Sequence, residues 1–332
     1  MALVLLAIFA LASGAAAQAF PGAVGFGAIA TGGNGGTTVH VTNLQDSGTG
    51  SFRDAVSQSN RNVVFDVSGY IRLSSPVSLS SHLTINGQSA PGNGVGIMGG
   101  ESAFNMGKAS NVILDHCSVE YGQWDSIDAV GAVNITVSNS IIAVPIGQQF
   151  GAHVETGPST FYRNLWVSAH NRQPLSKDNT QYINNVVYNY QAAYTSGNTG
   201  GFFSHDIINN YFITGPSTTS SKNAFYQMAA DQSVYAVGNF LDSNNDGVLN
   251  GSPDNTVGSS VVLASPWAST SLGLATLSAT DAVTYVLANA GASPRDELDI
   301  FVVNTVKSFG SQGMLYKSQG NTGVSNGGYG TL

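Results

Sequence analysis

The chain has 332 residues, 40 of them glycine, and only 9% of its side chains are charged. Its formal net charge is −8, from 19 acids against 11 bases with no basic run, which excludes a phosphate-neutralising nucleic-acid partner. The single cysteine, Cys117, excludes an intrachain disulfide framework, and the low charge with abundant Gly, Ser, Thr and Asn suits a turn-rich all-β solenoid.

The first expected element is an export signal over residues 1–17. Residues 2–12 are apolar, and Ala15-Ala16-Ala17 supply small residues for cleavage, so the mature chain is expected to begin near Gln18 or Ala19 and to be secreted and extracellular. The apolar run is too short to span a bilayer and no later segment reaches that length, so no membrane partner is expected. Residues 18–61 read as an N-terminal cap. Its short helix, over 51–57 with Phe52, Ala55 and Val56 on one face, would plug the open end of a solenoid.

Residues 62–250 carry a repeat. The segments Ile135-Thr136-Val137-Ser138-Asn139, Thr160-Phe161-Tyr162-Arg163-Asn164, Gln181-Tyr182-Ile183-Asn184-Asn185, Asp206-Ile207-Ile208-Asn209-Asn210 and Val234-Tyr235-Ala236-Val237-Gly238-Asn239 are strand-like and end in Asn. An earlier copy, Ile113-Leu114-Asp115-His116, puts His116 in that slot. A strand returning about every two dozen residues with no helix between copies predicts a single right-handed parallel β-helix. Asn suits the turn, because it tolerates left-handed angles and can stack into a hydrogen-bonded ladder. Cys117 is expected to be a buried small apolar residue.

Residues 251–332 predict a helical extension packed on the solenoid or capping its far end. One amphipathic helix starts at Thr280-Asp281 and stops at Gly291; a second starts at Asp296-Glu297, with Ile300, Val303 and Val306 at helical spacing. From Ser318 a Gly/Ser-rich tail is expected to be extended or loosely ordered. Asn134-Ile135-Thr136 and Asn250-Gly251-Ser252 are N-glycosylation sequons. A monomer is expected.

Several segments together resemble polysaccharide lyase family 1, the pectate and pectin lyases. Asn111-Val112-Ile113-Leu114-Asp115-His116-Cys117-Ser118 resembles that family's Asp-His-Cys-Ser strand, and Asn171-Arg172-Gln173-Pro174-Leu175-Ser176-Lys177 its Arg-x-Pro-x-x-Arg motif. Asp125-Ser126-Ile127-Asp128, Phe20-Pro21-Gly22-Ala23, the turn from Asp46 to Val56 and Ser293-Pro294-Arg295-Asp296-Glu297 are similar as well. The resemblance implies cleavage of α-1,4-galacturonan by β-elimination, with Arg172 as the base on C5. It further implies a calcium ion that neutralises the adjacent carboxylate, with Asp128, Asp125 and Glu101 as ligands.

Two departures bear on the substrate. Asp125 and Asp128 lie three apart where the family's acids lie four apart, and Lys177 replaces the final motif Arg, losing bidentate carboxylate binding. Lys177 is expected to contact a substrate carboxylate. His170, His153, Gln148 and Trp124 are expected along a polysaccharide groove, where aromatic rings stack on sugar faces; Trp166 is equally suited to the core. Two alternatives stand beside the calcium-assisted pectate lyase: a calcium-independent pectin lyase acting on methylated pectin, and a non-catalytic carbohydrate-binding β-helix. A β-helix glycoside hydrolase is disfavoured, since the coils hold no Asp-Asp pair. A P-loop or Rossmann enzyme is excluded by the absence of strand–Gly-rich loop–helix units.

Overall fold

The computed structural model describes residues 18–331 except 34, 100–103 and 197–199. The expected export signal and Glu101 lie outside the described residues. The chain winds into a parallel β-solenoid of about nine turns. Each turn lays one short strand on each of three parallel sheets, so backbone groups pair with the turns above and below. Sheet one stacks Thr37–Val41, Arg61–Phe65, Leu83–Asn86, Ser110–Asp115, the second half of Asp125–Ser138, Ser159–Tyr162, Thr180–Ile183, Phe203–Ile208, Gln232–Val237 and Val261–Val262. Sheet two runs from Gly69–Leu73 through Ser118–Glu120 and Leu165–Val167 to Phe240–Asp242, and sheet three from Val77–Ser78 to Phe225–Tyr226. The coils thus extend beyond 62–250 at both ends, because Thr37–Val41 pairs in register with Arg61–Phe65 inside the segment read as cap.

The corner between sheets one and two is the most regular part. Asn164, Asn185, Asn210 and Asn239 are fully buried, and each Oδ1 accepts the backbone N–H of its counterpart one turn earlier. Asn185 Oδ1, for example, takes Asn164 N at 3.0 Å, while its Nδ2 donates to Phe161 O at 3.0 Å and Asn210 Oδ1 at 3.1 Å. The ladder continues to Asn255 at one end and to Ser140 at the other. Here the sequence alignment was one residue out. Ser138 pairs with Tyr162, so Ser140 stands opposite Asn164, and Asn139 and His116 occupy the preceding corner position. That position is the left-handed one, with φ of 49° at His116, 46° at Asn139, 57° at Arg163 and 56° at Asn184. Asn serves two separate purposes at adjacent sites: turning the chain at one, and laddering at the next.

Inside the coils lies a continuous apolar core that includes Cys117, Trp166, Phe161 and Tyr182. Helix α1, Phe52–Ala55, closes the N-terminal end, with Phe52 stacked on Phe65 and edge-on to Phe104. It is shorter than the expected 51–57, with Ser51 as its N-cap. Helices α2, Ala279–Asn289, and α3, Glu297–Val306, lie on the outer face of sheet two, where Val283, Val286, Val302 and Val306 pack on Ile141, Leu165, Val186 and Tyr188. Sheet two is therefore apolar on both faces, as a parallel sheet requires when it is covered. The tail is not loose. It forms short 3-10 turns at Gln319–Thr322 and Asn326–Gly328, and Tyr121 Oη donates to Gly328 O at 2.5 Å. Glu297 accepts from Ser325 and Thr331, and Val324 and Tyr329 of the tail pack on the core beneath the helices. Among the described residues no helix is long and apolar enough to cross a membrane.

Under α3 sits an acid cluster. Glu120 of sheet two and Asp299 of α3 are fully buried, and Asp296 caps the helix. Ser118 Oγ donates to Asp299 Oδ2 at 2.7 Å, yet both Glu120 oxygens and Asp299 Oδ1 receive no other hydrogen bond. Two facing carboxylates bond each other only through a shared proton. Arg295 does not neutralise them, because its donors go to the carbonyls of Val286, Leu287 and Ala290. Burial and the neighbouring acids push Glu120 well up, and Asp299 up to about 7.

Two outcomes are expected. Asn185→Ala removes one rung and strands buried N–H groups, and should cost about 2–4 kcal/mol in chemical denaturation. A raised native pKa means that the folded state holds the proton more tightly. Stability is then greatest below the ordinary carboxylate range and is lost as pH rises through about 7. The melting temperature should fall between pH 5 and pH 8, and Glu120→Gln, which supplies a permanent N–H donor, should flatten that fall.

Candidate active site

The chemistry-bearing side chains gather on sheet three. The strand Asp125–Ser138 starts in this sheet and crosses into sheet one at Gly131, where φ is 79°. In sheet three it pairs with Phe150–Thr156, which pairs in turn with Leu175–Lys177. Register then fixes two columns across the turns: Asp128, His153 and Leu175 in one, Val130, Glu155 and Lys177 in the other.

Arg172 sits just before Leu175–Lys177 in a left-handed conformation, with φ of 64°. Its Nη1 donates to Asp125 Oδ2 at 2.9 Å and Oδ1 at 3.1 Å, and its guanidinium lies 4.0 Å above the Phe150 ring. The backbone beneath is tight: a Cβ on Gly151 would fall 2.3 Å from Arg172 O, and Ala152 N donates to that carbonyl at 2.7 Å. Glycine at 151 is thus required for Arg172 to stand where it does. Asp125 is only 2% exposed. Burial pushes its carboxyl up to about 6, against the pull of Arg172 and with added repulsion from Asp128. Asp125 is therefore a buried counter-ion, not a solvated loop residue.

Lys177 Nζ donates to Glu155 Oε1 at 2.8 Å, which holds the Glu155 carboxyl below its usual range. His153 Nε2 stands 2.9 Å from the same oxygen but is not aligned to hydrogen-bond it. Burial first, and then Arg172, lowers the His153 pKa, so the ring is neutral. Asp128 is half-buried, and its Oδ1 accepts Val130 N at 3.1 Å. His170 is not on a strand. It lies in the preceding connection, 6.3 Å from the Phe150 ring centroid, with Nδ1 buried and unpartnered. Trp166 is core.

Trp124, 43% exposed, meets Phe150 edge-on at 6.0 Å. With Gln148 it lines a groove of about 740 Å³ whose other walls are Leu73, Ser74, Pro76, Gln123, Gln319 and Tyr329. Sheet three thus brings together Arg172, Asp125, Asp128, His153 and Lys177, while Trp124 and Gln148 mark a groove beside them. A second cavity, beside Gln88, His116 and Arg295, lies at the asparagine corner, away from this chemistry. Sequence reasoning missed Glu155 and Phe150. The signal for Glu155 was its alternation with His153 along one strand.

Calcium does not fit the described residues alone. No group of three His, Cys, Asp or Glu among them could hold a metal, and Asp125 is already engaged by Arg172.

No family model matches the chain. It is 38% identical over 349 aligned residues to the probable pectate lyase C of Neosartorya fischeri, across 93% of this chain and 82% of that protein. It is 36% identical to the Emericella nidulans protein of the same name, across 92% and 79%. Among solved structures it is similar in fold to a thermostable pectate lyase (TM-score 0.59, 14% identity, 81% of this chain and 97% of that one). Pectate lyase II of Xanthomonas campestris is also similar (TM-score 0.50, 18% identity, 82% and 99%). With relatives this close over nearly its whole length, and with the parallel β-helix in hand, the chain belongs to the pectate lyase family.

Proposed function

We propose that the chain cleaves α-1,4-galacturonan by β-elimination, with Arg172 taking the C5 proton. The observation that carries this is the Arg172–Asp125 pair above Phe150, on the sheet face that also bears Lys177 and His153. An arginine normally stays protonated and so makes a poor base. The pairing of Arg172 with Asp125 supports a relay in place of a free base. As C5–H transfers to one guanidinium nitrogen, an N–H proton on Nη1 passes to Asp125. The electron pair left on C5 forms the C4–C5 double bond as the C4–O bond breaks with its pair on the departing oxygen, which takes a proton from solvent, and Asp125 returns its own proton to solvent before the next turnover. Arg172 ends with the charge it began with, and the proton resides on a carboxyl that burial already makes a better acceptor than an exposed one. Lys177 contacts the substrate carboxylate by exchanging it for Glu155, and Trp124 and Gln148, with His153 and His170, line the path of the polymer.

Calcium assistance is part of the reading through the resemblance, but no step here runs through it. Secretion of a monomer is also part of the proposal. Of the two sequons, Asn250 is exposed, while Asn134 is half-buried and its Nδ2 donates to Asn111 Oδ1 at 3.0 Å, so Asn250 is the better acceptor.

The test is ultraviolet absorbance of unsaturated uronide on polygalacturonate and on methylated pectin, each with calcium and with chelator. Product on polygalacturonate is expected. Its loss in chelator would assign the missing ligands to Glu101 or to the substrate, and persistence on pectin would favour the calcium-independent reading. Absence of product on both, from folded protein, would favour the non-catalytic module. Arg172→Ala should reduce kcat by at least about 10³-fold, and Asp125→Asn by about 10²-fold, the range of a lost proton-transfer partner.

A further inference from the structure

The groove beside Trp124 differs in charge from the face it adjoins. Trp124 meets the Phe150 ring edge-on at 6.0 Å, and the Arg172 guanidinium lies 4.0 Å from the centre of the same ring. A polymer held at Arg172 can therefore continue over Trp124 into the groove of about 740 Å³. The face carries two cations, Arg172 and Lys177, whereas none of the residues lining the groove is charged. Gln123 and Gln148 are exposed there and Gln319 is half-buried, so three amides supply donors and acceptors, while Trp124 and Pro76 supply apolar surface.

Two arginines that contact its walls are committed elsewhere. Arg53 donates to Asp46 Oδ1 at 2.6 Å, to Pro76 O at 2.7 Å and to Ser75 O at 2.9 Å, so it serves an acid and the backbone of the wall itself. Arg72 lies 4.0 Å from the centre of the Tyr329 ring and is not a lining residue. A carboxylate entering the groove would exchange water for amides and hydroxyls alone, with no opposite charge to offset its lost hydration. A methyl ester escapes that cost. Its carbonyl can accept from a glutamine amide, and its methyl group can rest on Trp124 or Pro76.

We propose that this groove is a subsite for methyl-esterified galacturonate residues, while the residue at Arg172 and Lys177 keeps its carboxylate free. The preferred substrate is then a partly esterified chain, and neither the wholly free nor the wholly esterified polymer. Trp124 and Gln148 set that preference, one through apolar contact and the other by offering an amide where a cation would select a free acid. The inference deepens the lyase reading and rests on it for the position of the free uronate.

The test is calorimetric binding to Arg172→Ala, so that turnover does not intervene. Arg172→Gln, which keeps an N–H donor for Asp125, replaces it if the alanine variant does not fold. The probes are galacturonate oligomers of one length, one set free and the other partly methyl-esterified. The esterified set should bind about 3–10-fold more tightly. Because the whole chain carries a net charge of −8, a less charged oligomer would be favoured anywhere on it, so position is tested at equal charge. Gln148→Lys, added to the same background, should tighten the free set about threefold and erase most of the preference. Val262→Lys, on an exposed residue of the last strand of sheet one, should leave the preference intact. Trp124→Ala should weaken the esterified set at least about threefold. The proposal is overturned if the free set binds as tightly as the esterified one, if the preference survives Gln148→Lys, or if Val262→Lys erases it. It is equally overturned if Trp124→Ala leaves binding unchanged, or if Arg72→Gln weakens the free set, which would put a carboxylate beside Tyr329. Failure of the lyase reading shows separately, as absence of unsaturated product from the unchanged chain on every pectin, and leaves the binding result standing.

Discussion

Stacking register is the constraint on which the rest of this molecule depends. In a parallel solenoid no strand satisfies its own backbone, so the strand N–H and C=O groups look to the turn above or below. From Ser140 to Asn255 the asparagine corner fixes the vertical alignment by tying each turn to the next through a buried side-chain amide. Once the corner is locked, a strand on sheet three cannot slip without breaking a rung. That is why Asp128 meets His153, and Glu155 meets Lys177, although they are separated by whole turns of sequence.

The repeat was legible because burial and ladder impose a strict pattern on sheet one and its corner, and the helices were legible through their caps and periodicity. The one-residue error at Asn139 arose because Asn suits both adjacent corner positions, so composition alone cannot separate the turning residue from the laddering one. The tail from Ser318 misled for a related reason. Its ordering comes from contacts distant in sequence: Glu297 and Tyr121 hold its backbone, and its two apolar side chains, Val324 and Tyr329, pack on the α2–α3 core. At the site, Arg172 was legible as a motif, but its pairing with Asp125 was not, since that depends on which way a corner turns each side chain.

Electrostatically, the sheet-three face is a balance of few charges. Two cations, Arg172 and Lys177, are each held by an acid, and His153 is kept neutral between them. An anionic polymer must therefore compete with internal carboxylates for each cation. Under the proposed mechanism, such competition weakens ground-state binding while leaving the guanidinium aligned on Asp125.

Arg172 stands on a kind of connection that varies in length from turn to turn. The asparagine corner tolerates no change in length, because one extra residue would displace a rung. The connection leaving sheet two is free of that restraint. It is short after Leu73, longer where it carries Arg172, and longer again after Asp242. Variable loops on a rigid stack are where function accumulates, since insertions there disturb no ladder. The connection that carries Arg172 and the longer one after Asp242 are then two uses of one permitted degree of freedom. The asparagine ladder on the far side of sheet two, from Ser140 to Asn255, keeps the turns in register while that connection varies in length.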